Sequence, residues 1–324
     1  VRRGYGLVQP RVGMSLPGAH RSRFSLMTSA GTGIDPYAAA VSDVYQDVFA
    51  EGSFTGKGIF EVDAFLEMLH GAFRPDSLLS HDLIEGCYLR TALATDVEVI
   101  DDAPASYLSS TKRQHRWVRG DWQTLPFLGQ RVENEAGESI RNPLSPLHRW
   151  KVLDNLRRSL VAPFTLATFV VGWLLLPRPA LGWALFMPVV VFFSAYLSLA
   201  DSVLSRSRTT SLWAQTPDIL RDFRADSLRG LFALAVLPHQ AYLMMDAIVR
   251  TLWRMAVSRR HLLEWVTAAE AEQRAGHTPG AFWRAMGPSC IVAALLVVAG
   301  SIAHPMRIAL AVVFAAAWSV TPIV

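Results

Sequence analysis

Cysteine is nearly missing from this 324-residue sequence: Cys87 sits in a polar stretch and Cys290, far from it, in an apolar run. Two such thiols supply neither a disulfide framework nor a zinc site, and a reducing compartment for the polar half is the simpler expectation. Charge is scarce too. Asp, Glu, Lys and Arg make up 18% of the residues, and the net charge is only +4. No dense Lys/Arg stripe interleaved with aromatics runs anywhere, which excludes a nucleic-acid partner. Internal repeats, low-complexity linkers and a signal peptide are all missing. What is plentiful is apolar surface. Hydrophobic residues reach 51% before 21 glycines are added, whereas soluble domains hold about 45–50% with glycine included. Neither disorder nor a wholly soluble fold suits that balance. The sequence starts at Val1 and stops inside the apolar stretch Ala315 to Val324, so a piece of a longer polypeptide is expected.

The chain divides near residue 145. Residues 1–145 mix charge with helix and strand patterns of globular length, whereas 146–324 carry long uncharged runs. Residues 159–176 and 181–200 hold Ser159 to Leu176 and Leu181 to Ala200, joined by Pro177-Arg178-Pro179-Ala180. Residues 287–303 and 308–324 repeat the pattern around His304-Pro305-Met306-Arg307. Each run is near the roughly 20 residues that cross a bilayer core, so two membrane hairpins are expected. Lys151, Arg157 and Arg158 before the first run, and Arg206, Arg208, Arg221, Arg224 and Arg229 after the second, put both flanks in the cytoplasm by the positive-inside bias. Between the hairpins, residues 230–254 gather His239, Asp246 and Arg250 on one helical face. If that helix crossed, Arg254, Arg259, Arg260 and Arg274 would fall outside, so an interfacial helix is expected.

In the polar half, Tyr5 to Val12 and Thr95 to Ile100 read as strands, with helical patterns at Tyr37 to Phe49, Val62 to Ala72 and His81 to Leu93. Strands separated by helices predict an α/β layer. Three groups there could carry chemistry. Ser80-His81-Asp82 heads the third helix. With Ser80 as N-cap, Asp82 lies in the first turn, where free backbone N–H groups and the helix dipole keep a carboxylate ionised and able to serve as a general base. Spacing alone favours the alternative that Asp82 is an acidic residue that merely suits a helix N-terminus. Arg113-Gln114-His115-Arg116-Trp117 falls in a helix opened by Ser109, Ser110 and Thr111, and spacings of three and four put Arg113, Arg116 and Trp117 on one face. Paired guanidinium groups suit a diphosphate, and a solvated basic face near a membrane is the alternative. The run Glu51 to Gly58 resembles a P-loop only superficially, because Gly52 to Gly56 is one residue short and Gly58 replaces Ser/Thr. Its glycines let the backbone approach a flat ligand, or simply make turns.

The ordered set GLVQPRV, DPYAAAVSDVYQDVFAEGSFTGKGIFEVDAF, LSHDLIEGCYLRTAL and RQHRWVRGDWQTLPFL resembles the glycosyltransferase region of bacterial cyclic β-1,2-glucan synthases over nearly the whole chain. More broadly it is similar to the second half of a GT-A catalytic domain in membrane-embedded processive glycosyltransferases. The resemblance implies an α/β fold, the C-terminal part of a GT-A-like domain, followed by an α-helical membrane domain in a bacterial inner membrane, multi-pass with its catalytic part cytoplasmic. It implies that Asp82, matching the aspartate of a Thr-Glu-Asp motif, is the base for an acceptor hydroxyl attacking UDP-glucose with inversion. Here Ser-His-Asp stands in that position, so only the aspartate carries over. Arg113, Arg116 and Trp117 match the (Gln/Arg)-x-x-Arg-Trp motif at the donor diphosphate and acceptor sugar. The Gly52 to Gly58 run, with Gly56 and Gly58, and Asp82 would line the acceptor end, and His81 and Glu85 would also contact substrate. Trp265 and Thr267 would occupy a gating loop over the donor, although Glu264-Trp265-Val266-Thr267 departs from the usual Phe-x-Val-Thr, and an interfacial tryptophan anchor is the alternative. A divalent metal, Mg or Mn, is implied as well. Its Asp-x-Asp ligands belong before the first strand, where nothing supplies them, and Asp101-Asp102 lies after the base helix. The fragment alone is therefore expected to be inactive. The expected partners are UDP-glucose, a glucan acceptor, the bilayer and the rest of a larger polypeptide.

Two other classes compete. A transporter or channel with a cytoplasmic regulatory α/β domain would bury ionisable residues within its spans, and the four expected spans contain none. A membrane-anchored scaffold would leave Asp82 and the Arg-Trp face without purpose.

Overall fold

The computed structural model describes residues 3–29, 43–74, 76–174, 186, 189–204, 212–264, 266, 270, 278–303 and 308–323. The chain forms two compact units, Val1–Leu160 with Leu243–Ala275, and Val161–Tyr242 with Gly276–Val324.

In the first unit, strand β1 (Leu7–Met14) lies between β2 (Ile59–Phe60) and β3 (Thr91–Asp101), antiparallel to β2 and parallel to β3. The β1–β3 register runs from Leu7 opposite Thr91 to Met14 opposite Asp101 and shifts between Pro10 and Arg11. Proline has no N–H to give the ladder, so a central strand breaks register there. The buried Gln9 bridges the irregularity: Nε2 donates to the Pro10 carbonyl at 2.8 Å and Oε1 accepts from Thr55 N at 2.9 Å. The expected strands are present but displaced, since β1 runs two residues past Val12 and β3 begins four residues before Thr95.

The helices of this unit are α1 (Leu16–Ala19), α2 (Arg23–Ser29), α3 (Val44–Phe49), α4 (Val62–Leu69), α5 (Asp82–Leu89) and α6 (Tyr107–Gln123). Of the expected helix Tyr37 to Phe49, residues 37–42 lie outside the described residues. The helix expected to run to Leu93 ends at Leu89, because Arg90 turns the chain with φ 60° and β3 starts at once. Helix α6 opens earlier than Ser109. Ser106 caps it, and Ser109 returns the bond in a capping box. A short hairpin, β4 (Arg131–Glu133) with β5 (Ser139–Arg141), follows. Ile84, Cys87 and Tyr88 of α5 pack with Phe127, Val132 and Leu144, and with Val152 and Leu156 of helix α7 (Pro146–Leu174), into one core. Both cysteines are free, and burial pushes the Cys87 thiol up to about 12, which makes it a packing residue.

Helix α7 contains part of the first expected span, and α8 (Phe193–Leu204) part of the second. Residues 230–254 belong to a longer helix, α9 (Leu212–Trp253), and the third and fourth runs to α10 (Pro279–Ala303) and α11 (Ile308–Val320). Among the described residues, Thr216–Ser258 and Pro279–Ile302 are long and apolar enough to cross a membrane. Within α9, Pro238 cannot donate to the Leu234 carbonyl four residues back, and the Trp318 indole N–H fills that vacancy at 3.0 Å while Thr321 Oγ1 donates to the Ala235 carbonyl at 3.0 Å. Backbone groups in apolar surroundings need such substitutes.

Candidate functional site

Asp82 is the first residue of α5, but Ser80 is not its cap. His81 holds that position and makes no side-chain capping bond. Ser80 instead packs on α6 at Gly120, where a Cβ would lie 3.0 Å from Ser80 N and closer still to its Cβ. Gly120 is four residues beyond Arg116, hence on the same side of α6, and this close approach brings the Asp82 turn to the arginine face. From the other side comes Gly56, at φ 89°, whose added Cβ would sit 2.9 Å from Asp82 Oδ2. A larger residue at 56 would be strained and would strike the carboxylate. Gly58 is equally constrained, with its missing Cβ directed at the Val8 carbonyl and the Phe54 ring.

Asp82 is not turned to bulk water, since its side chain is 36% exposed. His81 Nδ1 lies 3.9 Å from Asp82 Oδ1 and 2.8 Å from Glu85 Oε1. Burial pushes the Asp82 carboxyl above its ordinary value and Glu85 adds to the rise, while His81, Arg116 and Lys57 oppose it. The expectation that the helix terminus keeps this group ionised therefore omitted the larger effect, desolvation. A raised carboxyl is a stronger base, which suits proton abstraction from a hydroxyl. His81 is also raised, chiefly by its hydrogen bond to Glu85.

On α6, the Arg113 guanidinium stacks over Trp117 at 4.8 Å and lies 3.6 Å from Asp101 Oδ2. Arg116 is lowered by burial and by Arg113, and Asp82 opposes that shift, so carboxylate and guanidinium act on each other. The structure thus brings Asp82, His81, Glu85, Gly56, Arg113, Arg116 and Trp117 into one neighbourhood. Two residues that the sequence reading did not assign complete it. Lys57 forms an ion pair with Asp101; burial pushes that carboxyl up, but the Lys57 bond, the Asp102 backbone N–H and then the Lys57 and Arg113 charges hold it below the usual carboxylate range. Lys57 stands inside the glycine run itself and was the available signal. Nothing local marks Asp101, at the end of β3.

A second ionic group holds the start of that run. Glu51, buried, accepts from His148 Nε2 at 2.8 Å and Lys151 Nζ at 3.1 Å, and Arg90 Nε lies 3.9 Å away. Lys151 also donates to the Gly52 carbonyl at 2.7 Å.

Trp265 and Thr267 lie outside the described residues. The segment just before them, 261–264, is held by α6: Arg119 Nη1 donates to the Glu264 carbonyl at 3.0 Å, and Gln123 Nε2 to the Leu262 carbonyl at 3.0 Å. As to a metal, the donor atoms of His81, Asp82 and Glu85 lie within 4.8 Å of one another. They do not fit the diphosphate-bridging ion that the family reading implies. His81 Nδ1 is already engaged by Glu85, and Mg or Mn prefers an all-oxygen shell. Ligation would also remove the basicity of Asp82, so no step is routed through a metal.

An α/β unit carrying a half-buried carboxylate, three cations and an indole around a glycine turn can take up a proton beside an anionic group. No family model matches the chain. It is 42% identical, over 99% of its length, to the cyclic β-(1,2)-glucan synthase NdvB of Rhizobium meliloti (strain 1021). The chain spans 11% of the length of that relative. The resemblance read from the motifs is thereby borne out as similarity to a partial region of such an enzyme, and it supports a glycosyltransferase role.

Proposed function

We propose that the chain is part of an inverting membrane glucosyltransferase, GT-A-like in residues 1–145, that transfers glucose from UDP-glucose to a growing β-1,2-glucan at the cytoplasmic face of a bacterial inner membrane. Residues 146–324 form its membrane part, with two hairpins and an interfacial helix within α9. The observation that carries this reading is the electrostatic coupling of Asp82 to Arg116 beside Gly56. Asp82 takes the proton from the acceptor hydroxyl as that oxygen bonds to the anomeric carbon, and the bond from that carbon to the UDP oxygen breaks on the opposite side. Arg116, Arg113 and Lys57 offset the charge gathering on the departing diphosphate. Trp117 offers its ring to a glucosyl face.

In the full-length enzyme, Asp82→Asn lowers turnover by about 10²–10⁴-fold while UDP binding persists. Near-normal turnover of that variant, measured as glucose transfer from UDP-glucose, would refute the assignment.

A further inference from the structure

Helix α6 carries a second stripe, His115, Arg119 and Gln123, at four-residue spacing beside the Arg113–Arg116–Trp117 face. His115 and Arg119 are engaged away from the candidate site, and Gln123 reaches both ways. His115 Nε2 meets Asp246 Oδ2 of α9 at 2.9 Å. Arg119, a buried cation, donates to the carbonyls of Glu264 at 3.0 Å, His261 at 3.4 Å and Leu262 at 3.5 Å. Gln123, 3% exposed, reaches in two directions: Nε2 donates to the Leu262 carbonyl at 3.0 Å, and Oε1 accepts from Leu79 N at 2.6 Å. Leu79 stands three residues before Asp82.

The segment so held is not a relaxed turn. Arg259 and His261 adopt φ 49° and 58°, costly for residues with a Cβ and stable only where surroundings enforce them. Arg254 supplies a further grip, donating to the His261 carbonyl at 2.6 Å and to Glu264 Oε2 at 2.8 Å. A guanidinium fork with several carbonyls in range fixes direction as well as distance. The side chains spent here, two arginines and a glutamine on four residues of main chain, exceed what closing a surface turn requires.

We propose that Arg119 and Gln123 are positioning residues for glucosyl transfer: through them α6 sets the spacing between the Asp82 turn, its own arginines and the segment 261–264 leading to Trp265. This rests on the glucosyltransferase reading. Gln123 ties the base-bearing turn to that segment, and Arg119 fixes the segment one turn from Arg116. A displacement of about 1 Å in such a frame can cost about a hundredfold in rate.

The test uses the full-length enzyme in membranes, with Arg119→Lys, which keeps the charge but loses the fork, and Gln123→Ala. Hydrogen exchange of the peptide covering 261–264 is measured without nucleotide, and glucose transfer and UDP affinity are measured separately. Both variants are expected to exchange that peptide faster and to lose about tenfold to a hundredfold in kcat, with UDP affinity within about twofold. Gln123→Glu keeps the acceptor for Leu79 N but buries a carboxylate against the Leu262 carbonyl, and is expected to lose at least as much as Gln123→Ala. Unchanged exchange, or faster exchange with unchanged kcat, would overturn the proposal. If the wild type fails to use UDP-glucose, the glucosyltransferase reading falls, whereas failure confined to the variants' response strikes the positioning role alone.

Discussion

Two carboxylates of the first unit, Asp82 and Glu51, meet cations in low-polarity surroundings and shift in opposite directions. For both, burial is the largest influence and pushes upward. At Glu51 it is outweighed by the hydrogen bond from His148 and by the charge and bond of Lys151, so the group ends below its ordinary value. At Asp82 the cations act through space, burial prevails, and the group ends above it. Cations lower both groups through their charge, and Glu51 has direct hydrogen bonds from its cations in addition. A carboxylate whose oxygens are bonded by buried partners holds structure together, whereas one left half-exposed with its cations acting only through space is raised and takes up a proton more readily.

That contrast fixes how each variant should behave. Asp82→Asn, besides its loss of turnover, is expected to leave thermal stability unchanged or raised. A folded-state value above the unfolded one disfavours the ionised form, and the amide removes that charge. Lys151→Met should do the reverse. Lys151 is 4% exposed, and removing one member of a buried pair costs about 3–5 kcal/mol, here nearer the lower figure because His148 remains. Thermal unfolding in detergent reads both, and a Lys151 variant as stable as wild type would contradict the structural role. Because folding depresses Glu51, its stabilisation is present above the ordinary carboxylate range and is lost as pH falls through the depressed value. Acid sensitivity should therefore diminish in Glu51→Gln. A smaller effect is expected at the contact joining the two motifs. Gly120→Ala forces Ser80 away from α6, an overpacking of about 1–3 kcal/mol, and should lower kcat/KM by moving Asp82 from Arg116. Unchanged kinetics would show that this approach does not set their distance.

Much of this unit was legible in the sequence because its signals are local. Periodicity identified α5, the Ser109-Ser110-Thr111 opening signalled α6, and the spacing of Arg113, Arg116 and Trp117 gave their shared face. Ser80 misled because serine before an acidic residue reads as a cap, yet here its small size is used against Gly120. The extension of the helix to Leu93 misled because Arg90, not glycine, ends α5 at positive φ. Partnerships across the chain left no local trace. Lys57 and Asp101 are 44 residues apart, and Arg119 and Glu264 are 145 apart. Such pairs are settled by tertiary packing, which periodicity does not record. The burial that raises Asp82 left no local trace either, since it comes from elements other than its own helix.

The most direct test of a base tuned by a neighbouring guanidinium is the pH profile of kcat for the full-length enzyme, wild type against Arg116→Gln. Asp82 must be ionised to accept the proton, so the wild-type acid limb should lie above the ordinary carboxylate range. Because Arg116 holds Asp82 down against its burial, removing that charge should move the limb to still higher pH in the residual activity. An acid limb in the ordinary range, or one that stays in place when Arg116 is replaced, would contradict the coupling on which the assignment rests.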